Sequence, residues 1–267
     1  PATTDTPVEA TLAATPTPRV IPSRDVGLSD WLADARQHRH NGRYDEAISA
    51  YEAVIDGSPP DEVAREARFE LAQSMLQDRQ YVASAEAWEA FLAEYVDDAR
   101  RPAALFMAAR AYEASGLCER AVDKYQAYLT LDTELGLLAH EAIGDCRVTL
   151  VTGAADPDAV WDAALASYAA ALETTSDAST QVGLHEKRAG IHLAREAYAE
   201  AVAEYDAILA IARIESYRAR IEYQAGQALE LAGDMDGAYT RYRRAVNRYP
   251  DTEFAYQSLI EMVDAGI

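Results

Sequence analysis

Two cysteines and five histidines are the side chains of this 267-residue chain most able to do chemistry, and their spacing limits what that chemistry is. Cys118 and Cys146 form no C-x-x-C pair, the spacing by which neighbouring thiolates share a zinc ion. Both stand where small or apolar residues are expected. That leaves two readings open: buried free thiols, or a disulfide that would point to an oxidising compartment. His38 and His40 are two apart and do not share a helix face. His185 and His192 lie two turns apart on one helix, and neither set reads as a metal site. Carboxylates are so abundant, at 45 Asp and Glu, that pairs of them arise by chance. No nucleophile sits in pattern with a base, and no glycine-rich loop could cradle a phosphate. The expectation is a protein that is not an enzyme and holds no cofactor or metal.

The elements that must position these groups follow a fixed period. Tyr51, Trp88, Tyr125, Tyr168, Tyr205 and Tyr242 are spaced 37, 37, 43, 37 and 37 residues apart. Four residues before each stands a small side chain: Ala47, Ser84, Ala121, Ala164, Ala201 and Ala238. The same packing role recurring at one phase predicts a repeat solenoid in which each unit mainly touches its neighbours. Within a unit, Tyr44, Ala47, Ile48, Tyr51, Val54 and Ile55 recur at helical spacing, Asn41-Gly42-Arg43 breaks the chain before them, and Ser58-Pro59-Pro60 closes it. One repeat is thus a helix, a short turn, a helix and a loop, with Ser29 as the expected N-cap of the first helix. The units are expected at about 28–64, 65–101, 102–138, 139–181, 182–218 and 219–252, with a capping helix over 253–264. The one long step, of 43 residues, is expected to lie in the turn from Val151 to Asp158, about six residues longer than the others. Aromatic rings at this phase belong to the seam between helices and are expected to be core.

Residues 1–26 are different material. Pro1, Pro7, Pro16, Pro18 and Pro22 alternate with threonines, which reads as an extended linker. Such linkers suit a tether to a cell surface, so an extracytoplasmic, envelope-associated location is expected, with a cytoplasmic interdomain spacer as the alternative. The chain begins at Pro1, not Met, and stops after the apolar Met262 and Val263, so a piece of a longer protein is expected. A net charge of -21 repels nucleic-acid phosphates and argues against that partner. No stretch approaches the roughly 20 apolar residues of a membrane span.

These residues resemble tetratricopeptide repeats. Position 8 of each unit holds Ala35, Ala72, Ala109, Cys146, Ala189 or Gly226; position 15 holds Gly42, Gly116 and Gly233; position 32 holds Pro59 and Pro250. The match runs over 28–250, although the unit is longer than is usual for the family. The resemblance implies an all-α, right-handed solenoid of six helix-turn-helix repeats of 37 residues plus the C-terminal cap. Tyr51-Glu52-Ala53-Val54-Ile55 and Arg248-Tyr249-Pro250-Asp251-Thr252 are also similar to repeats of bacterial envelope lipoproteins. The run from Tyr249 to Gly266 resembles the helical region that precedes the catalytic domain of soluble lytic transglycosylase-like proteins, whose catalytic motifs are not present.

The resemblance further implies that first helices line a concave groove. Read so, its candidate lining is Arg36, Phe69, Gln73, Phe106, Arg110, Glu113, Ile143, Arg147, Tyr223 and Gln227: an apolar strip beside a polar row with three arginines. Guanidinium forks suit carboxylates and peptide carbonyls, so the expected partner is a protein or an extended peptide. The alternative is that these arginines pair with nearby acids and only solubilise the surface. Arg36 and Gln73 stand where the chaperone carboxylate clamp of this family has asparagine, so that partner is not expected. The other functional expectation is the helical scaffold of a larger cell-wall enzyme, with an adjacent catalytic domain on the same polypeptide.

Overall fold

A computed structural model describes residues 27–131 and 134–264; the Thr/Pro linker lies outside the described residues. All regular structure in them is helical, and the chain divides at Gln80 into two compact units. The first holds α1 (Leu28–His40), α2 (Tyr44–Asp56) and α3 (Asp61–Gln77). The second holds α4 (Tyr81–Glu94), α5 (Arg101–Ala114), α6 (Cys118–Leu129), α7 (Gly136–Leu150), α8 (Pro157–Thr174), α9 (Ala178–Ala194), α10 (Tyr198–Ile211), α11 (Glu215–Leu231), α12 (Met235–Arg248) and α13 (Glu253–Asp264). Within each unit successive helices pack side by side, and α5 with α6, α7 with α8, α9 with α10 and α11 with α12 form hairpins. No helix among the described residues is long and apolar enough to cross a membrane.

The small residues explain the close approach. Ala35, Ala47, Ala72, Ala109, Ala121, Ala164 and Ala201 are completely buried, so one helix backbone rests against the next. Into the remaining seam go the large rings: Tyr51 and Trp88 are fully buried, and Tyr125, Tyr168, Tyr205 and Tyr242 nearly so. Burying each ring contributes on the order of 2–3 kcal/mol. In the first unit the seam gathers Leu32, Ala47, Tyr51, Val54 and Ala67; in the second, one cluster gathers Tyr168, Leu184 and Ile191, and another Tyr205, Ile208 and Ile221.

The turns repeat as faithfully as the rings. Position 15 adopts positive φ in every unit: Gly42, Arg79, Gly116, Gly153, Glu196 and Gly233. At five of the six the chain closes the first helix with paired bonds, as where Gly116 N–H donates to the Glu113 carbonyl and Leu117 N–H to the Tyr112 carbonyl. Glycine takes this conformation without penalty; Arg79 at φ 62 and Glu196 at φ 56 do not. Glu196→Gly is therefore expected to stabilise the protein by about 1 kcal/mol, read as a rise in the thermal midpoint. An unchanged or lower midpoint would refute a strained turn.

Two details differ from expectation. Helix α1 is capped by the Gly27 backbone, with Ser29 already inside the helix; aspartate caps do form at α8, α9 and α12, where Asp156, Asp177 and Asp234 accept backbone N–H groups. The extra residues are not confined to the turn between α7 and α8: 151–156 is three residues longer than the other such turns, and α8 begins four residues ahead of Trp161, where the other second helices would start. Helix α13 spans the expected residues and packs on α11 and α12, with Phe254 against Tyr223. Its other side leaves Tyr256 and Val263 about two-thirds exposed.

Candidate functional site

The arginine row is not an open cationic track. In the first unit Arg36 donates from Nε and Nη2 to Glu70 at 2.7–3.0 Å, and Arg39 donates to the Gln73 side-chain oxygen. Glu70 also accepts the Tyr51 hydroxyl at 2.6 Å. Burial alone would raise the Glu70 pKa, but the bonds from Arg36 and Tyr51 outweigh it and hold the carboxyl below its usual value. Phe69 is half-buried on the same helix.

In the second unit Phe106 and Ile143 are buried, 6% and 2% exposed. Phe106 packs on Tyr125 and Tyr128, with ring centres 5.5 and 5.1 Å apart. Neither offers a surface to a ligand, which corrects the expectation that they line a groove. Glu113 accepts the Tyr125 hydroxyl at 2.6 Å. Tyr223 lies under α13 and donates to Glu261, while the exposed Gln227 donates to Tyr223. Arg147 turns to α8 and donates to the Ala163 carbonyl and the Ser167 hydroxyl, both at 2.7 Å. Of the expected row in this unit, only Arg110 is an exposed cation, and among the described residues it pairs with no carboxylate.

What the first helices present instead is a ladder of ion pairs from one to the next. Lys187 on α9 reaches back to Asp145 and Glu141 on α7, at 2.7 and 2.8 Å. Arg220 on α11 reaches back to Glu186 on α9 at 2.6 Å. Burial pulls the Lys187 ammonium down, but its bonds to the two carboxylates more than compensate and hold its pKa above the usual lysine value.

Helix α9 packs less closely on α8 than the other first helices of the unit pack on their predecessors. A cleft of about 300 Å³ opens there between α7, α8 and α9. Trp161 and Tyr168 of α8 form its floor, with Val148 and Ile191 at the sides. Asp145 and Lys187 close one end, where Asp145 also accepts the Tyr168 hydroxyl at 2.7 Å. Gly190 leaves one wall bare: a Cβ there would meet nothing within 4 Å. Such a cleft can take an apolar or aromatic side chain. Sequence reasoning did not single out Trp161 or Lys187. The available signals were a large aromatic beside the long turn and one of only two lysines in the chain.

The remaining reactive groups are structural. Cys118 and Cys146 are free and buried; burial, then the neighbouring Cys118 thiol, pushes the Cys146 pKa up, which leaves it a poor nucleophile. His185, Arg188 and His192 on α9 surround the buried Glu204 of α10, at 2.6, 2.8 and 3.9 Å, and burial holds His192 below its usual pKa. Among the described residues no three His, Cys, Asp or Glu side chains are placed to hold a metal ion.

Comparison with known proteins agrees with this geometry. Residues 222–252, which run from α11 through α12, match the tetratricopeptide repeat family. No curated protein sequence matches the chain. Among solved structures, the C-terminal part of a TPR repeat-containing protein from Cytophaga hutchinsonii is similar at a TM-score of 0.56 and 17% identity, over 80% of this chain and 78% of that one. YrrB, described as a TPR protein with an unusual peptide-binding site, is similar at a TM-score of 0.50 and 15% identity, over 79% of this chain and 98% of that one. Helical hairpins with buried small residues at two fixed positions and a ring in the seam define the class. Residues 222–252 are a tetratricopeptide repeat, and the fold of the chain is that of tetratricopeptide repeat proteins.

Proposed function

We propose that this chain is a non-enzymatic interaction module that binds a peptide or partner protein, with the α7–α9 cleft as its principal side-chain pocket. The observation that carries this reading is the cleft itself: an aromatic floor, a bare glycine wall and a lysine at one end. Arg110, exposed on α5 of the same unit, extends the contact surface for an acidic residue of the ligand. YrrB, of the same fold, is described as carrying a peptide-binding site.

The test is a peptide library screened against the protein and against Gly190→Leu, which fills the cleft. A Cβ there meets nothing within 4 Å, and the substitution is expected to weaken peptide binding by about tenfold or more, with the thermal midpoint of the variant checking that the fold is kept. Arg110→Glu is expected to weaken acidic peptides selectively. A screen that yields no ligand, or ligands indifferent to Gly190→Leu, would overturn the reading.

The Thr/Pro character of residues 1–26 supports a tether, and we place the module at the bacterial cell envelope; fractionation of cells expressing the whole polypeptide tests that placement. A second reading, the helical scaffold of a larger cell-wall enzyme, is favoured by the apolar side of α13, where Tyr256, Leu259, Ile260 and Val263 are exposed and would suit an adjoining domain. Peptidoglycan cleavage by the whole polypeptide, and its loss on Ile260→Glu, is the result this alternative requires.

A further inference from the structure

Helix α7 serves two clefts. Asp145 and Val148 face the one described above; Arg147 and Leu150, on the opposite side of the helix, face another of about 510 Å³. Its other walls are α6, α8 and the long turn at Thr152–Ala154. That turn is six residues long where the other turns between first and second helices have three, so a cleft walled by it occurs at this hairpin and its α6 neighbour.

The cation in it, like Arg218 of α11, is a part-buried arginine held by carbonyl and hydroxyl oxygens. Lys187, Arg188, Arg220 and Arg241 each meet a carboxylate within 3.3 Å, whereas Arg147, among the described residues, meets none. Its Nη1 is fixed by the Ala163 carbonyl and by Ser167, itself 5% exposed. Among the described residues no acceptor meets Nε or Nη2, the edge of the guanidinium that grips a carboxylate through two parallel bonds. Burial holds the Arg147 pKa below the usual arginine value with no neighbouring charge to offset it, so a ligand anion would relieve an existing cost. Across the cleft, Glu119 and Asp123 are exposed and, among the described residues, without an ion pair. They disfavour a polyanion and favour a ligand that also carries a positive charge.

We propose that this second cleft binds a peptide carboxylate on the free edge of Arg147, with a basic side chain of the same peptide facing Glu119 and Asp123. The site does not rest on the α7–α9 cleft, and the carboxylate can come from a side chain or from a C-terminus. The test is calorimetric titration of the full chain with three probes: Ac-Lys-Ala-Glu-NH2, Ac-Lys-Ala-Ala with a free carboxyl end, and Ac-Lys-Ala-Gln-NH2, which has no carboxylate. One of the first two is expected to bind and the third is not; which one binds identifies the source. Arg147→Gln is expected to reduce the affinity by about tenfold or more, and Arg147→Lys to recover only part of it. Because Arg147 also ties α7 to α8, Ala159→Tyr serves as a second variant. It fills the cleft, leaves the guanidinium anchors in place, and must reduce binding as well. Gly190→Leu must leave binding unchanged. The proposal is overturned if neither carboxylate probe binds, if the carboxylate-free probe binds equally, or if affinity survives both Arg147→Gln and Ala159→Tyr.

Discussion

Gly226→Ala is expected to lower the thermal midpoint by roughly 4–8 °C, a loss of about 2 kcal/mol. The sign is the informative part, because the same change in an exposed helix is stabilising by about 1 kcal/mol. At position 226 a Cβ would come within 2.4 Å of Tyr242 Cε1 and 2.7 Å of its Cδ1. The ring cannot step aside. Tyr242 is 4% exposed, its hydroxyl donates to Glu230 at 2.8 Å, and Tyr223 lies against it at 5.8 Å with Phe254 on the far side of Tyr223. Gly144 meets Tyr168 in the same way, at 2.3 Å from Cε1, so Gly144→Ala should behave alike. Gly183 and Gly190, both helical, meet nothing within 4 Å, and their alanine variants should gain stability. Four substitutions of one kind thus divide into two signs by what stands over the backbone. Stabilisation by Gly226→Ala would show that the seam is looser than the ring contacts describe.

Glu70→Ala is expected to cost about 3 kcal/mol. Removal of this carboxylate leaves the fully buried Tyr51 hydroxyl without its acceptor and Arg36 without its bidentate partner. Because the Arg36 side chain is 43% exposed, water recovers part of the loss, which keeps the figure at the lower end for a broken buried pair. Tyr51→Phe should cost about 1 kcal/mol, and the two changes should be less than additive because they remove the same bond. The carboxylate also sets an acid sensitivity. Its folded-state pKa is held below the ordinary value of 4.5, so its contribution is complete above that pH and is lost as pH falls toward the folded value. Chemical denaturation at pH 7 and pH 3.5 should therefore show a smaller difference between Glu70→Gln and the parent at the lower pH. An equal difference at both would remove Glu70 from the acid response.

The helical hairpins were legible because their determinants are local. Alanine at two fixed positions and a ring at a third can be read without knowing where the chain goes, and the 43-residue step was legible in place but not in form, since it lengthens the start of α8 as well as the turn before it. The turns were half legible. Glycine marked Gly42, Gly116 and Gly233, but the same positive φ at Arg79 and Glu196 left no sign in residue type, since the hairpin imposes it. The groove was least legible. Lining positions transferred from the shorter family unit placed Phe106 and Ile143 on the surface, although both are buried, Phe106 against Tyr125 and Tyr128 of the second helix. Whether Arg36 is free or tied depends on Glu70, 34 residues away, and on the reach of two flexible side chains. The α7–α9 cleft arises from an imperfect fit between helices, which composition at any single position does not encode.

Lys124 and Lys187 are the only lysines in the sequence. One bonds to Glu89 on the second-helix side, and the other closes the end of the α7–α9 cleft. Amine-directed reagents thus meet two side-chain targets, and Lys124→Arg, which preserves the bond to Glu89, reduces them to one. A fluorophore coupled to Lys187 in that background would sit beside Trp161 and report occupancy directly, by quenching.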